Sequence, residues 1–245
     1  MKGGFELNDF FSQEPQRREV NTDVVGLNRF LTRMYGNMAL AVLVSALTAY
    51  LSMTAFRAVI FSYFAAHSGM VWLVLLLPIA LTFGINASAQ RNPVGSFVML
   101  MVTAIIYGLV FALIAGAYTG ANIAAAFLSS ASLFVFLAIY GTVTKRDLSR
   151  AGGQATAALF ALMIAWIINM FLQSPAITYI FSFIAVIIFV VLTAWDAQKM
   201  KQLYLQAGNQ VSVSGLAVIG ALQLYLDFIN LFLQLLQIFG MSDRD

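Results

Sequence analysis

Two aspartates stand where a carboxylate is expensive. Asp227 lies inside the run LYLDFINLFLQLLQ, and Asp196 lies in VVLTAWDAQKM. An ionised Asp at the centre of a membrane helix costs about 2.5–3.5 kcal/mol even on a lenient insertion scale, so such a residue is retained for a use. Gln223, Asp227, Asn230, Gln234 and Gln237 are spaced four, three, four and three residues apart. That spacing sets all five on one stripe of a helix. Leu224, Leu226, Phe228, Ile229, Leu231, Phe232 and Leu235 occupy the other faces. Amides alone would serve as glue between helices. A carboxylate within the stripe points instead to an ion or a proton. Asp196 taken alone reads equally well as a solvated helix end paired to Lys199 or Lys201. Taken with Asp227 it becomes the second carboxylate of one cavity. Two close carboxylates do not both ionise cheaply, so the pair would share a proton. Protonated, such a pair holds together. Deprotonated, it repels and admits a hard cation, and calcium prefers oxygen ligands of this kind.

The elements that must position these residues follow from composition. Of the 245 residues, 61% are hydrophobic and only 9% charged, and the mean hydropathy is +0.88. A soluble domain carries about 25% charged residues; this chain has too few to cover a surface, and disorder is excluded for the same reason. The pattern is that of an all-α membrane protein. A span needs about 20 mostly apolar residues. Seven runs qualify: Leu31–Ala55, Met70–Ala89, Val94–Ala115, Ala121–Val143, Ala155–Gln173, Ile177–Ala197 and Ser214–Phe239. Asn92-Pro93, Gly116 to Gly120, Gly152-Gly153 and Ser174-Pro175 punctuate them. Short connections make neighbouring spans antiparallel. The runs are too long and continuous for strands of a transmembrane barrel. Asp227 falls about 20 Å from the start of span seven, near mid-bilayer. Asp196 falls at one end of span six. No internal repeat supports an inverted-repeat transporter.

Charge gives the orientation. With the N-terminus cytoplasmic, the inside segments hold Lys2, Arg17, Arg18, Arg29, Arg33, Arg91, Lys145, Arg146, Arg150, Lys199 and Lys201. The outside segments hold only Arg57 and Arg244. That bias predicts an N-terminus inside. It also accounts for the sequence pI of about 9.3 without any nucleic-acid partner, since no Lys/Arg tract forms a patch. Residues 1–28 read as a cytoplasmic tail and 29–245 as the membrane domain. The polar opening stretch predicts a retained first span instead of a cleaved signal peptide. Phe5, Phe10 and Phe11 near the start of the tail have no specific role assigned.

Other residues carry weaker signals. Thr144 or Asp147 is positioned to cap the helix that follows. Arg91, at the end of span two, either snorkels to headgroups or reaches the acidic pair as a latch. Asn169 and Gln173 read as helix glue, and His67, the only histidine, as an exposed loop residue. Zero cysteines exclude disulfides, thiolate zinc sites and iron–sulfur clusters. HExxH, GxSxG and P-loop motifs are absent, and neither aspartate follows the Gly-x-Gly of intramembrane aspartyl proteases. The expectation is a non-enzyme without a cofactor.

Three segments, TKRDLS (Thr144–Ser149), FVVLTAWDAQKMK (Phe189–Lys201) and GALQLYLDFINLFLQLLQIFG (Gly220–Gly240), resemble the Bax inhibitor-1, or transmembrane Bax-inhibitor-motif, family. RFLTRMYGNMALAVLVSALTAY (Arg29–Tyr50) is similar to its bacterial branch. The resemblance covers roughly residues 25–240. It implies a seven-helix bundle with the last helix central, a place in the bacterial inner membrane, and a pH-sensitive calcium leak governed by an aspartate pair. On the matching motifs that pair is Asp196 and Asp227, which would also be the calcium-contacting residues, with Gln223, Asn230 and Gln234 as the supporting polar face. One departure stands out. Bacterial relatives carry an acid in span two and a basic latch at its end. Here span two has Pro78 and no acid, and Arg91 is only near the latch position.

Two other readings use the same chain. Some bacterial relatives modulate the membrane protease FtsH through their N-terminal tails, and residues 1–28 would serve similarly. Proton-coupled exchange would use both aspartates but would be driven by a pH gradient.

Overall fold

The computed structural model describes residues 14–207 and 211–242. Eight helices follow one another: α1 (Glu14–Met53), α2 (Arg57–Ala66), α3 (Gly69–Ser88), α4 (Pro93–Ala115), α5 (Gly120–Val143), α6 (Ser149–Leu172), α7 (Pro175–Ala207) and α8 (Val213–Ser242). All but α2 contain a stretch long and apolar enough to cross a membrane. These seven are the seven runs read from sequence.

The helix ends are built from local chemistry. Asn92 Oδ1 accepts from the Gly95 N–H at 2.9 Å and Pro93 sits in the first turn of α4, where a missing N–H is harmless. Thr119 Oγ1 accepts from the Asn122 N–H at 3.2 Å at the start of α5. Gln173 closes α6 in the left-handed region at φ 50°. Asn169 then ties the α6–α7 corner by donating from Nδ2 to Thr178 Oγ1 at 2.7 Å. That is the glue role expected of Asn169; Gln173 makes the turn instead.

The structure differs from the sequence reading in three places. First, α1 is helical from Glu14, well before the apolar run. Pro15 stands in its first turn and no glycine intervenes before Gly26, so the residues of the expected tail from 14 onward continue into the first span. Phe5, Phe10 and Phe11 lie outside the described residues. Second, the connection around His67 contains α2. His67 itself is exposed, as expected, and stacks on Tyr63 with ring centroids 4.7 Å apart. Third, α7 does not end with its apolar run at Ala197 but continues to Ala207. There Tyr204 stacks on Phe30 of α1 at 4.7 Å and Met200 is buried. Asp196 therefore sits within a long helix held at both ends.

In α8, 72% of the most apolar window is buried, against 11–44% in the other six spans. It packs against α1, α3, α4, α5 and α7. Tyr225, fully buried, bonds Ser45 of α1 through its hydroxyl at 2.7 Å, and Ser45 Oγ also donates to Ala104 O of α4 at 2.9 Å. The burial comes mostly from the apolar faces of α8 noted in the sequence, and the polar stripe, with Asp227 and Gln234 also buried, faces a cavity. α6 packs mainly on α7 and is held off from α8 by the cavity described below.

Two glycines let α7 come close enough to present Asp196. A Cβ at Gly141 of α5 would overlap the Ala194 carbonyl, and one at Gly152 of α6 would overlap the Trp195 ring. Gly141→Val is accordingly expected to destabilise the fold by about 1–3 kcal/mol or more, the usual cost of overpacking. Thermal unfolding in detergent reads this. Gly153, with open space around it, is the control: Gly153→Ala should be neutral or stabilising.

Candidate functional site: a two-aspartate cavity between helices α6, α7 and α8

The polar stripe of α8 opens into a cavity of about 600 Å³. Its charged and polar walls are Thr156 of α6, Asp196 and Lys199 of α7, and Gln223, Asp227, Asn230 and Gln234 of α8. Trp166 of α6 and Trp195 of α7 supply aromatic walls. Both aspartates are buried, each 6% exposed. The structure thus brings together all five residues that the sequence reading assigned to the pair and its supporting face.

The two carboxylates have different surroundings. Asp196 Oδ1 accepts from Gln223 Nε2 at 3.4 Å and lies 3.9 Å from Lys199 Nζ. The Lys199 ammonium also sits 4.7 Å from the centre of the Trp195 ring, a cation–π contact that holds the lysine beside the acid. Of the two lysines weighed as partners, Lys199 is the one that pairs. Lys201 turns away and donates to the Thr142 carbonyl at 2.7 Å. Asp227 has no such partner. Its Oδ2 is buried without a hydrogen bond, and so is Gln234 Oε1 two turns further along the same face. Buried polar atoms in folded proteins are almost always bonded. Both orphaned oxygens belong to residues that line the cavity, so the stripe carries polar atoms with unused hydrogen-bonding capacity. Asn230 is partly satisfied, donating from Nδ2 to Leu226 O at 2.8 Å.

A second cavity of about 580 Å³ continues along the α6–α8 seam and shares Trp166, Asn230 and Gln234 with the first. Its polar lining includes Asn169, Gln173, Ser174, Thr178 and Gln237. Gln237 Oε1 accepts from Ser182 Oγ at 2.7 Å. The stripe therefore lines a polar seam that runs from the Lys199 end of the bundle to the α6–α7 corner. Carboxylates stand at one end and neutral amides and hydroxyls at the other.

Arg91 is not part of this site. It is exposed in the turn between α3 and α4 and does not line the cavity. Among the described residues the only ion pair is Asp196–Lys199. Its neighbour Gln90 accepts from the Ser212 N–H at 3.0 Å, placing that turn beside the start of α8, away from the middle of the helix where Asp227 lies. Outside the spans, Asp147 Oδ1 accepts from the Ser149 N–H at 2.9 Å. Hydrogen bonding from Ser149 holds its carboxyl below the ordinary value of 3.8. Neither Asp147 nor Thr144 is the N-cap of α6, which is Leu148 without a side-chain bond; Asp147 instead closes a turn just before it, and Thr144 Oγ1 accepts from the Arg146 N–H at 3.3 Å.

Sequence reasoning passed over Trp166, Trp195 and Ser182. The i, i+4 spacing of Trp195 and Lys199 was the one available signal for the cation–π contact. Among the described residues, no three His, Cys, Asp or Glu side chains gather into a metal cluster.

Residues 27–244 match the family described as Inhibitor of apoptosis-promoting Bax1. An uncharacterized membrane protein of Streptococcus pyogenes serotype M3 is 36% identical over 219 residues, 89% of this chain and 95% of the relative. The protein YrjE of Lactococcus lactis is 35% identical over 217 residues, 89% of this chain and 92% of the relative. The inner membrane protein YbhL of Escherichia coli K12 is 35% identical over 218 residues, 88% of this chain and 92% of the relative.

Proposed function

The chain belongs to the Bax inhibitor-1 family, and from that premise we propose that it is a pH-sensitive cation leak of the bacterial inner membrane, with calcium as the permeant ion and Asp196 and Asp227 as the sensor. The observation that carries this reading is that Asp227, buried with its Oδ2 unpartnered, lines the same cavity as Asp196. With one proton on the pair and Lys199 charged, the cavity is neutral. Loss of that proton leaves it at minus one, and a cation is drawn in. Calcium takes about 6–8 oxygen ligands. Two carboxylates supply some of these; the amides of Gln223, Asn230 and Gln234 and accompanying waters supply the rest. Such a mixed shell suits passage better than storage. The second cavity extends the path, and its neutral lining offers no competing charge. The protein in this reading is neither an enzyme nor dependent on a cofactor; its partners are the bilayer, protons and calcium. The Lys/Arg distribution supports an orientation with the N-terminus and the Lys199 end of the seam on the cytoplasmic side.

Proteoliposomes test the proposal. Calcium flux through the wild type is expected to rise on the order of tenfold between about pH 6 and about pH 8, as one proton leaves the pair. Asp147→Asn is expected to keep that profile, because Asp147 is already ionised throughout this range. Folded protein giving no flux at either pH would overturn the leak, and a protease-modulating role for the N-terminal segment would take its place.

A further inference from the structure

On the side of α8 away from the aspartates, the bundle is open. Both α1 and α5 pack on α8, but beyond the hydrogen bonds of Tyr35 at one end they stand apart from each other. The gap between them is an apolar groove of about 530 Å³. Ala39, Ala131 and Ala138 give it room, and Phe228 forms its floor. Phe127 and Phe134 meet Phe228 edge-on at 5.8 and 5.9 Å, which fixes the shape of that floor. A second groove of about 380 Å³ shares Val42, Phe127 and Phe228 and continues along α8 toward Met53 and Gly120. From Tyr35 to Met53 along α1 is about 27 Å at 1.5 Å per residue, close to the thickness of a bilayer's hydrocarbon core.

The two ends of this groove differ. The far end, lined by Tyr50, Met53, Ile114 and Ala115, carries no charge. The Tyr35 end is polar and basic: Tyr35 and Thr142 share a hydroxyl–hydroxyl bond of 2.7 Å, and the Lys201 ammonium lies 2.7 Å from the Thr142 carbonyl. Lys201 has no acidic partner among the described residues. Lys145 and Arg146 follow the groove wall directly and are exposed. Asp147, the one acid in that loop, is engaged by the Ser149 N–H. An apolar slot closed at one end by hydroxyls and cations, and long enough for an acyl chain, matches one class of guest in charge and shape.

We propose that the α1–α5 groove is a binding site for an anionic phospholipid, with an acyl chain laid along Phe127, Phe134 and Phe228 and the phosphate at Lys201, Tyr35 and Thr142. The guest comes from the leaflet at the Lys201 end. The chain would lie directly against α8 on the face opposite Asp227. This site is separate from the aspartate cavity, so it stands or falls independently of the leak.

Native mass spectrometry of delipidated full-length protein, titrated with phosphatidylglycerol or phosphatidylcholine of equal chain length, tests the assignment. The wild type is expected to retain one phosphatidylglycerol about fivefold more tightly than phosphatidylcholine, the scale of one basic residue acting on an anionic headgroup. Lys201→Gln should bring the two lipids to near parity. Ala39→Trp, which fills the groove from an exposed position, should weaken retention of both. Thermal unfolding reports whether each variant is folded, and Lys145→Gln with Arg146→Gln gives a second headgroup variant should Lys201→Gln unfold. Equal retention of the two lipids by the wild type overturns the proposal. So does unchanged retention in folded Ala39→Trp. A wild-type dimer that Ala39→Trp dissociates, with no retained lipid, would give the groove to a second copy of the chain and overturn it as well.

Discussion

Asp227→Asn is expected to cut calcium flux at about pH 8 on the order of tenfold and to abolish its dependence on pH, as expected when the proton-exchanging member of a coupled pair is lost. The same substitution should leave thermal stability unchanged or raise it. Asp227 is buried with one oxygen unpartnered, and an isosteric neutral amide removes the cost of burying a charge. Loss of function with retained or improved stability is the signature of a residue kept for transport. A merely structural carboxylate would show the reverse, a less stable protein with a normal pH profile. Asp196→Asn is the companion. It breaks the pair with Lys199, whose side chain is 36% exposed. The lysine can turn to solvent once the acid is gone, so the variant should fold. It should also change the pH profile, because Asp227 then titrates without a carboxylate neighbour. A folded Asp227→Asn protein whose flux still rises between about pH 6 and about pH 8 would remove the pair from the mechanism, since no coupled titration would remain.

Sequence alone carried the site a long way because the signal is periodic. Gln223, Asp227, Asn230, Gln234 and Gln237 stand out against apolar neighbours at helical spacing, and the structure places all five along one seam. The seven spans were legible for the same reason: each is a long apolar run bounded by Gly, Pro or charge. What the sequence hid depends on packing or lacks a hydropathy signal. Choosing between Lys199, Lys201 and Arg91 as the partner of Asp196 requires knowing where each side chain points. Lys199 is held by Trp195, Lys201 is drawn to Thr142, and Arg91 lies in a turn outside the cavity. Trp166 belongs to the site only because α6 faces α8 across it, and one tryptophan in an apolar run announces nothing. The early start of α1 and the late end of α7 fall in polar sequence, where membrane hydropathy is silent and helix propensity with packing decides. The short helix α2 falls below the length at which an apolar run reads as a span.

Gln234 separates a path from an adhesive. It is 4% exposed, its Oε1 has no hydrogen bond, and it borders both cavities of the seam. A buried unsatisfied polar atom costs about 1–3 kcal/mol. Gln234→Leu keeps a similar volume and removes that atom, so the variant is expected to be more stable by about 1 kcal/mol. In the same protein calcium flux should fall on the order of tenfold, because an ion crossing from the aspartate cavity to the amide-lined one loses an oxygen at the junction. Gln237→Leu provides the contrast. Its Oε1 already accepts from Ser182, so the substitution breaks a bond and should cost about 0.5–1.5 kcal/mol. Thermal unfolding and flux measured on both variants give a crossed result if the seam conducts: Gln234→Leu is stabilised and slow, whereas Gln237→Leu is destabilised. Were both amides only glue between helices, both leucine variants would lose stability and neither would slow the ion. An unsatisfied oxygen on a residue shared by two cavities is what a transport route keeps at the expense of stability, and the effects of Gln234→Leu on folding and on flux together decide whether this one does.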